Sequence, residues 1–224
     1  MQRLHPLFPE ITPAQWSLLE RMAELHREWN AKINLVSRKD IDNLEWHHYA
    51  PCVAVLKFLR LMNGATVLDV GTGGGFPGLI MAALYPQARF TLIDSTGKKI
   101  AVVTDIAQRL NLRNVEAKNL RVETLHREYD FVTGRAVTSL PAFIQLIRER
   151  MRSGEKNAPG NGVIYWKGGS LADEENALGI APSRVLSLAE TLSDADGYFH
   201  EKYIVHYRQQ DLPRAKPPVP PPGE

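Results

Sequence analysis

The chain has 224 residues, 44% of them apolar, and a formal net charge of +2 from 27 Lys and Arg against 25 Asp and Glu; that is enough to bury a sizeable core without metals or disulfides. The balanced charge does not mark a nucleic-acid binder, and it leaves a local basic face open. One cysteine, Cys52, excludes a disulfide within the chain and a Cys-rich zinc site. No stretch approaches the roughly 20 apolar residues that span a bilayer, and the first residues carry no signal pattern. The expectation is a cytoplasmic protein away from the membrane.

In chain order, Thr12-Pro13 reads as a helix start, with Thr as cap and Pro at the first helical position. Trp16, Leu19, Ala23 and Trp29 follow at helical spacing and predict a helix over 13–30. A second helix is expected over 43–62. Residues 65–70 form a short apolar run closed by glycines, as in a buried parallel strand. Further strands are expected at 89–94, 114–118, 129–134 and 162–167. Helices are expected at 76–84, 97–110 and 140–152, and a closing strand pair at 185–192 and 202–207. Residues 153–161 read as a mobile loop. The proline-rich tail from Leu212 reads as lying outside the fold and disordered.

Strands alternating with helices imply a doubly wound α/β sheet with right-handed crossovers. The domain reading is a helical extension over 1–62, a sheet domain over 63–211 and a tail over 212–224. Ligands bind such sheets beyond the carboxyl ends of the strands. Gly71, Asp94, Glu123 and Arg135 all fall there.

Asp69-x-Gly71-x-Gly73-x-Gly75 directly follows the first strand and opens a helix. Glycine permits positive φ and close approach of the backbone to a ligand. Gly73-Gly74-Gly75-Phe76-Pro77-Gly78 also fits the dinucleotide fingerprint, which is weak alone. Asp69 argues against a pyrophosphate, which favours a positive helix end, and suits a sulfonium cofactor with an ammonium group. Asp94 ends the second strand, where its carboxylate can accept from both hydroxyls of a ribose; this fits NAD equally well.

Asp69-Val70-Gly71-Thr72-Gly73-Gly74-Gly75-Phe76-Pro77-Gly78-Leu79 resembles the glycine motif of the GidB family, the bacterial small-subunit ribosomal RNA methyltransferases G. Trp29 to Ser37, Leu92 to Lys99, Gly134-Arg135-Ala136-Val137 and Tyr165-Trp166-Lys167-Gly168 match in family order. The resemblance implies a class I S-adenosylmethionine-dependent methyltransferase fold (Rossmann-like) with an N-terminal helical extension. It implies methyl transfer to N7 of a guanine in 16S rRNA near the decoding centre. It also implies cofactor contacts from Gly71, Phe76, Val122 and Glu123, and a cofactor- or substrate-site role for Arg135, the expected catalytic residue; Gly73, Asp69 and Asp94 are expected cofactor contacts from the loop and strand ends.

Read from the residues alone, Phe76 is also a plausible core residue, Glu123 a solvated charge and Arg135 a structural ion-pair partner. Arg135 suits either the methionine carboxylate or the guanine O6/N7 edge, and the sequence leaves both open. Asp69 and Glu123 suit the cationic side of the cofactor. Tyr49-Ala50-Pro51-Cys52 and Gly134 depart from the family pattern, which has Asp-Ser and Ser there.

Guanine N7 carries a free lone pair and no proton, so the chemistry needs positioning, about 3–3.5 Å from the methyl group, and no general base. The tetrapeptide of amino-group methylation and a cysteine pair for pyrimidine attack are both missing. Adjacent His47 and His48 without further ligands do not make a zinc site. The expected partner is 16S rRNA or an assembling small subunit, bound by a monomer. Candidate phosphate contacts are Arg38, Lys39, Lys98, Lys99, Arg148, Arg150, Arg152 and Lys167. A methyltransferase on another RNA or a small molecule, an NAD-dependent oxidoreductase and a non-catalytic binding module are the rival readings.

Overall fold

A computed structural model describes residues 1–213. Leu212 still packs against the core, and the rest of the expected proline-rich tail, from residue 214 on, lies outside the described residues.

Helix α1 spans Pro13–Asn30. It starts with a full capping box: the Thr12 hydroxyl accepts from the Gln15 amide, and the Gln15 side chain accepts from the Thr12 amide. It ends at Asn30, whose side-chain oxygen accepts from the amides of Leu35 and Val36 at 2.8 and 3.0 Å. That pair of bonds folds the Trp29 to Ser37 segment back on itself.

The helix expected over 43–62 is broken instead. A π-helical stretch covers Leu44–Tyr49, α2 covers Ala50–Val53, and a 3-10 turn covers Ala54–Lys57. Pro51 is the physical reason. It has no N–H to offer the His47 carbonyl, and its ring crowds the preceding turn.

The sheet has seven strands in the order β3-β2-β1-β4-β5-β7-β6. They are β1 (Thr66–Val70), β2 (Arg89–Asp94), β3 (Val115–Asn119), β4 (Phe131–Arg135), β5 (Gly162–Gly168), β6 (Arg184–Ser187) and β7 (Lys202–Arg208). The first five run parallel; β7 is antiparallel to both β5 and β6. Helices α3 (Gly78–Leu84) and α4 (Gly97–Arg109) pack with α1 on one face. Helices α5 (Leu140–Ile147) and α6 (Leu171–Leu178) contact each other and belong with the core cluster of the other face.

Alternation along β1 serves both faces: Val67 joins the N-terminal helices' core, whereas Leu68 and Val70 join that of α5. The cluster that holds Val67 runs from Leu4 to Ile204, so the first sixty residues share the sheet's core.

Three further segments differ from or add to the expected elements. The strand over 185–192 stops at Ser187, whose hydroxyl caps α7 (Leu188–Thr191) by accepting from the Glu190 amide. Helix α6 was not foreseen. The 153–161 segment is irregular but anchored: the Asn157 side chain accepts from the Met62 amide at 2.8 Å and donates to Asn161, and both asparagines are buried. Buried amides must be paired, and here the pairs fasten the loop.

Candidate active site

β1 is flanked by β2 and β4, so the chain changes direction across the sheet between β1 and β4, where α/β folds leave a crevice. The loop leaving β1 fills that crevice. Gly71 has φ +67°, and a Cβ there would press on Val137 at 3.1 Å. Gly75 has φ +96°, and a Cβ would sit 2.4 Å from Leu79. Both conformations favour glycine.

A cavity of about 360 Å³ opens beside this loop, lined by Gly71, Asp94, Val122, Glu123, Ala136 and Val137 among others. The structure thus brings together four of the residues singled out from the sequence. Asp94 is buried; its Oδ2 accepts from the Gly73 amide at 3.0 Å and its Oδ1 from the Thr96 amide at 2.8 Å. Lys99 Nζ stands 3.9 Å from Oδ2, beyond hydrogen-bond reach, and a carboxylate has about four acceptor positions, so two remain for a ligand. Gly73 meets the cleft through that bond to Asp94, Val122 is a buried wall, and Glu123 stands exposed at the rim.

Asp69 and Phe76 do not line this cavity. Asp69 lies two residues from Val67 along β1 and therefore faces α3. Its Oδ2 accepts from the Gly78 amide at 3.1 Å and its Oδ1 from the Thr133 hydroxyl at 2.8 Å. It is fully buried, and burial raises its pKa to about 6 against the opposing hydrogen bonds. Its place is the brace between loop and helix, so its charge is no argument about what the cleft binds.

Phe76 stacks on His26, with ring centroids 4.6 Å apart. His26 was not anticipated from sequence. Its Nε2 lies 2.7 Å from the Gly74 carbonyl and its Nδ1 2.6 Å from the Tyr49 hydroxyl. A carbonyl only accepts, so Nε2 carries the proton and Nδ1 accepts from Tyr49. Burial lowers the pKa of His26 to about 4, which keeps the ring neutral. Helix α1 thereby holds the glycine loop from behind.

Arg135 ends β4 and turns toward the N-terminal helices. Its Nη2 donates to the His47 carbonyl at 3.3 Å and to His48 Nδ1 at 3.2 Å, and its Nη1 donates to the His48 carbonyl at 3.3 Å. The His47 carbonyl is the one that Pro51 cannot serve, so the guanidinium completes the broken helix. His48 donates from Nε2 to Asp40 at 2.7 Å, and His47 bonds the other oxygen of Asp40. Burial and the Arg135 charge lower the His48 pKa to about 4. Burial alone would raise the Asp40 pKa, but the two histidines outweigh it and hold it below the usual range.

A second cavity, of about 310 Å³, lies on this side, lined by His47, Arg135, Ala136, Tyr165, Lys167, Glu174 and Tyr198 among others. His47 stacks flat on Tyr198 at 3.4 Å between centroids. Ala136, with φ +54°, belongs to both cavities. A larger cavity of about 670 Å³ involves Thr66, Arg89 and Asn114 at the opposite end of the strands, away from the crevice.

Of the candidate phosphate contacts, Lys99 lines the first cavity and Lys167 the second. Arg152 bonds the Thr66 hydroxyl and lies at the amino end of the sheet, far from the crevice. Among the described residues no cluster of His, Cys, Asp or Glu fits a metal ion, and no helix is long and apolar enough to cross a membrane.

Gly134 takes the place of the family's serine for a visible reason: a Cβ there would lie 2.5 Å from the Phe143 ring. Asp40, Tyr198 and Glu174 gave no sequence signal, since each acts through neighbours distant in the chain.

Comparison with a structure of the fibrillarin/Nop5p complex gives a TM-score of 0.53 at 12% identity, over 74% of this chain and 83% of that one. At that identity the likeness speaks for the fold alone. Two ribosomal RNA small subunit methyltransferases G are far more similar in sequence. That of Flavobacterium psychrophilum is 40% identical over 92% of this chain and 97% of its own. That of Christiangramia forsetii is 42% identical over 92% and 96%. The family model described as rRNA small subunit methyltransferase G (GidB) matches residues 15–182, and on this agreement of motif, fold and relatives the chain belongs to the GidB family.

Proposed function

We propose that the chain transfers the methyl group of S-adenosylmethionine to N7 of a guanine in 16S rRNA. The observation that carries this reading is the pair of cavities that share Ala136 at the carboxyl ends of β1 and β4. We assign the first to the adenosyl donor and the second, with its stacked His47 and Tyr198, to the acceptor base.

The residues fit that donor. Asp94 keeps two free acceptor positions for the ribose hydroxyls, Gly71 leaves the backbone open, and Val122 and Val137 supply apolar walls. The bound cofactor supplies an electrophilic methyl group on a positively charged sulfur. Glu123 adds a negative charge at the rim. Val122, Glu123, Asp94, Gly71 and Gly73 form the donor set; Phe76 and Asp69 support it from behind.

On the acceptor side, the chain's task is to hold the base. His48 has both ring nitrogens engaged, by Arg135 and Asp40, and is no proton acceptor. That suits N7, which has no proton to lose. Arg135 fixes the N-terminal segment over the cavity and lines it; we assign it to the acceptor rather than to the methionine carboxylate. The substrate is the rRNA or an assembling small subunit in the cytoplasm, met by a monomer.

The test is transfer of labelled methyl to 16S rRNA followed by mapping of the modified base. Label at one guanine N7, absent from rRNA already modified by an active strain, is the expected result. Label on another atom or on no RNA overturns the reading.

A further inference from the structure

The second cavity contains one carboxylate among its described lining residues, Glu174. It sits in the first turn of α6. It is not the cap of that helix: Ser170 accepts from the Asp173 amide and fills that place. The Glu174 side chain is only 12% exposed, and its Oε1 lies 3.1 Å from Lys167 Nζ. Lys167 in turn donates to the Gly168 carbonyl at 2.6 Å, so the ammonium is held at the carboxyl end of β5. Lys167 takes one oxygen of this largely buried carboxyl group, and its second oxygen has no protein partner among the described hydrogen bonds, which leaves it to a ligand at the cavity wall.

The sheet order fixes its direction. From the donor cleft at β1 and β2, the path across the site runs over Ala136 after β4, then Lys167 on β5, then Glu174 on α6. A purine whose N7 faces the donor side turns its N1/N2 edge the other way. Guanine shows on that edge one acceptor, O6, followed by two donors, N1–H and N2–H. The Lys167–Glu174 pair offers the complement, a donor followed by a two-oxygen acceptor. Adenine would set its N1 lone pair against the carboxylate.

We infer that Glu174 determines the acceptor base, accepting from N1–H and N2–H of guanine, with Lys167 beside it donating to O6. The inference rests on the proposed methyl transfer to guanine N7 and adds to it a reader of the opposite edge.

The experiment uses small subunits assembled with 16S rRNA carrying guanosine or inosine at the mapped position. Inosine keeps N7, O6 and N1–H and lacks only the N2 amino group. Wild-type protein is expected to lose roughly tenfold in kcat/KM with inosine, the share of one good base contact. Glu174→Gln and Glu174→Ala are expected to lose roughly 10- to 100-fold with guanosine, with unchanged affinity for S-adenosylmethionine. They are expected to show no further loss with inosine. A structural role for Glu174 would lower both substrates equally, and an inosine penalty in the variants equal to that in wild type overturns the assignment while leaving the N7 reaction standing. Absence of transfer to any guanine by wild-type protein overturns both.

Discussion

The two cavities that meet at Ala136 are built differently. The cavity proposed for the donor is made by short loops that leave consecutive strands: Gly71 after β1, Asp94 ending β2, and Val122 and Glu123 after β3. The cavity proposed for the acceptor collects side chains from the N-terminal helices, β4, β5, α6 and the segment before β7. The first is a property of the α/β frame, which places loops at a switch point whatever their sequence. The second depends on how an appended helical segment docks. A donor site of this kind serves many acceptors; the acceptor is set by what is packed over the ends of β4 and β5.

The sharpest test of the contrast is to damage each side singly. Asp94→Ala removes the acceptor of the Gly73 and Thr96 amides together with the expected ribose contact. Affinity for S-adenosylmethionine should fall on the order of 100-fold or more, since hydrogen bonds to a charged group contribute about 1.5–3 kcal/mol each; calorimetry measures it. Arg135→Ala should do the reverse. The variant frees the His47 and His48 carbonyls, so turnover on assembled subunits should fall about 100-fold, while cofactor affinity moves less than about threefold. Equal loss of both in either variant would merge the two cavities into one functional unit.

Gly134→Ser restores the family's residue against the ring of Phe143. It should cost about 1–3 kcal/mol of stability through overpacking, seen in denaturant unfolding, and Phe143→Leu should recover part of the loss. Leu146 of α5 also lines the donor cleft, so calorimetry with S-adenosylmethionine shows how far the strain spreads.

The effect least tied to either cavity is on the pH dependence of stability. His26, His48 and His206 each have pKa values lowered to about 4, chiefly by burial, against about 6.5 unfolded. As pH falls from 6.5 toward 4, the unfolded chain takes up protons that the native state refuses, so stability falls. Asp69 works the other way: its native pKa of about 6 lies above the unfolded value, so its buried charge is relieved as pH falls through 6. Three histidines outweigh one carboxylate, and unfolding free energy should decline between pH 6.5 and 5. His26→Gln should flatten that decline by up to about 1.4 kcal/mol per pH unit, one proton's share, and an unchanged slope would place the proton elsewhere.

These tests follow the line between what was legible in the residues and what was not. Strands β1 to β5 and their helices stand close to where period and punctuation put them, because buried parallel strands are apolar runs bounded by turn residues. The 43–62 helix failed at Pro51, a strong local signal, and the repair comes from Arg135, more than eighty residues away. Asp69 shows the converse, a local signal whose meaning depends on the fold. Its place beside the glycines suggested a ligand contact, whereas the pleat of β1 turns it toward α3.

By itself, the sequence determined the α/β alternation, the glycine turn after β1, the acid at the end of β2 and membership of a methyltransferase family. Each is a local matter: hydrophobic period, backbone freedom at glycine, and residue order within a few positions. The tertiary structure alone decided that Asp69 braces while Asp94 faces the cleft, that His26 holds the Gly74 carbonyl as a neutral ring, and that Lys167 and Glu174 stand together beside Arg135. Those depend on burial and on contacts between segments far apart in the chain, and no spacing along the sequence encodes which carboxylate is turned inward and which is left to a ligand.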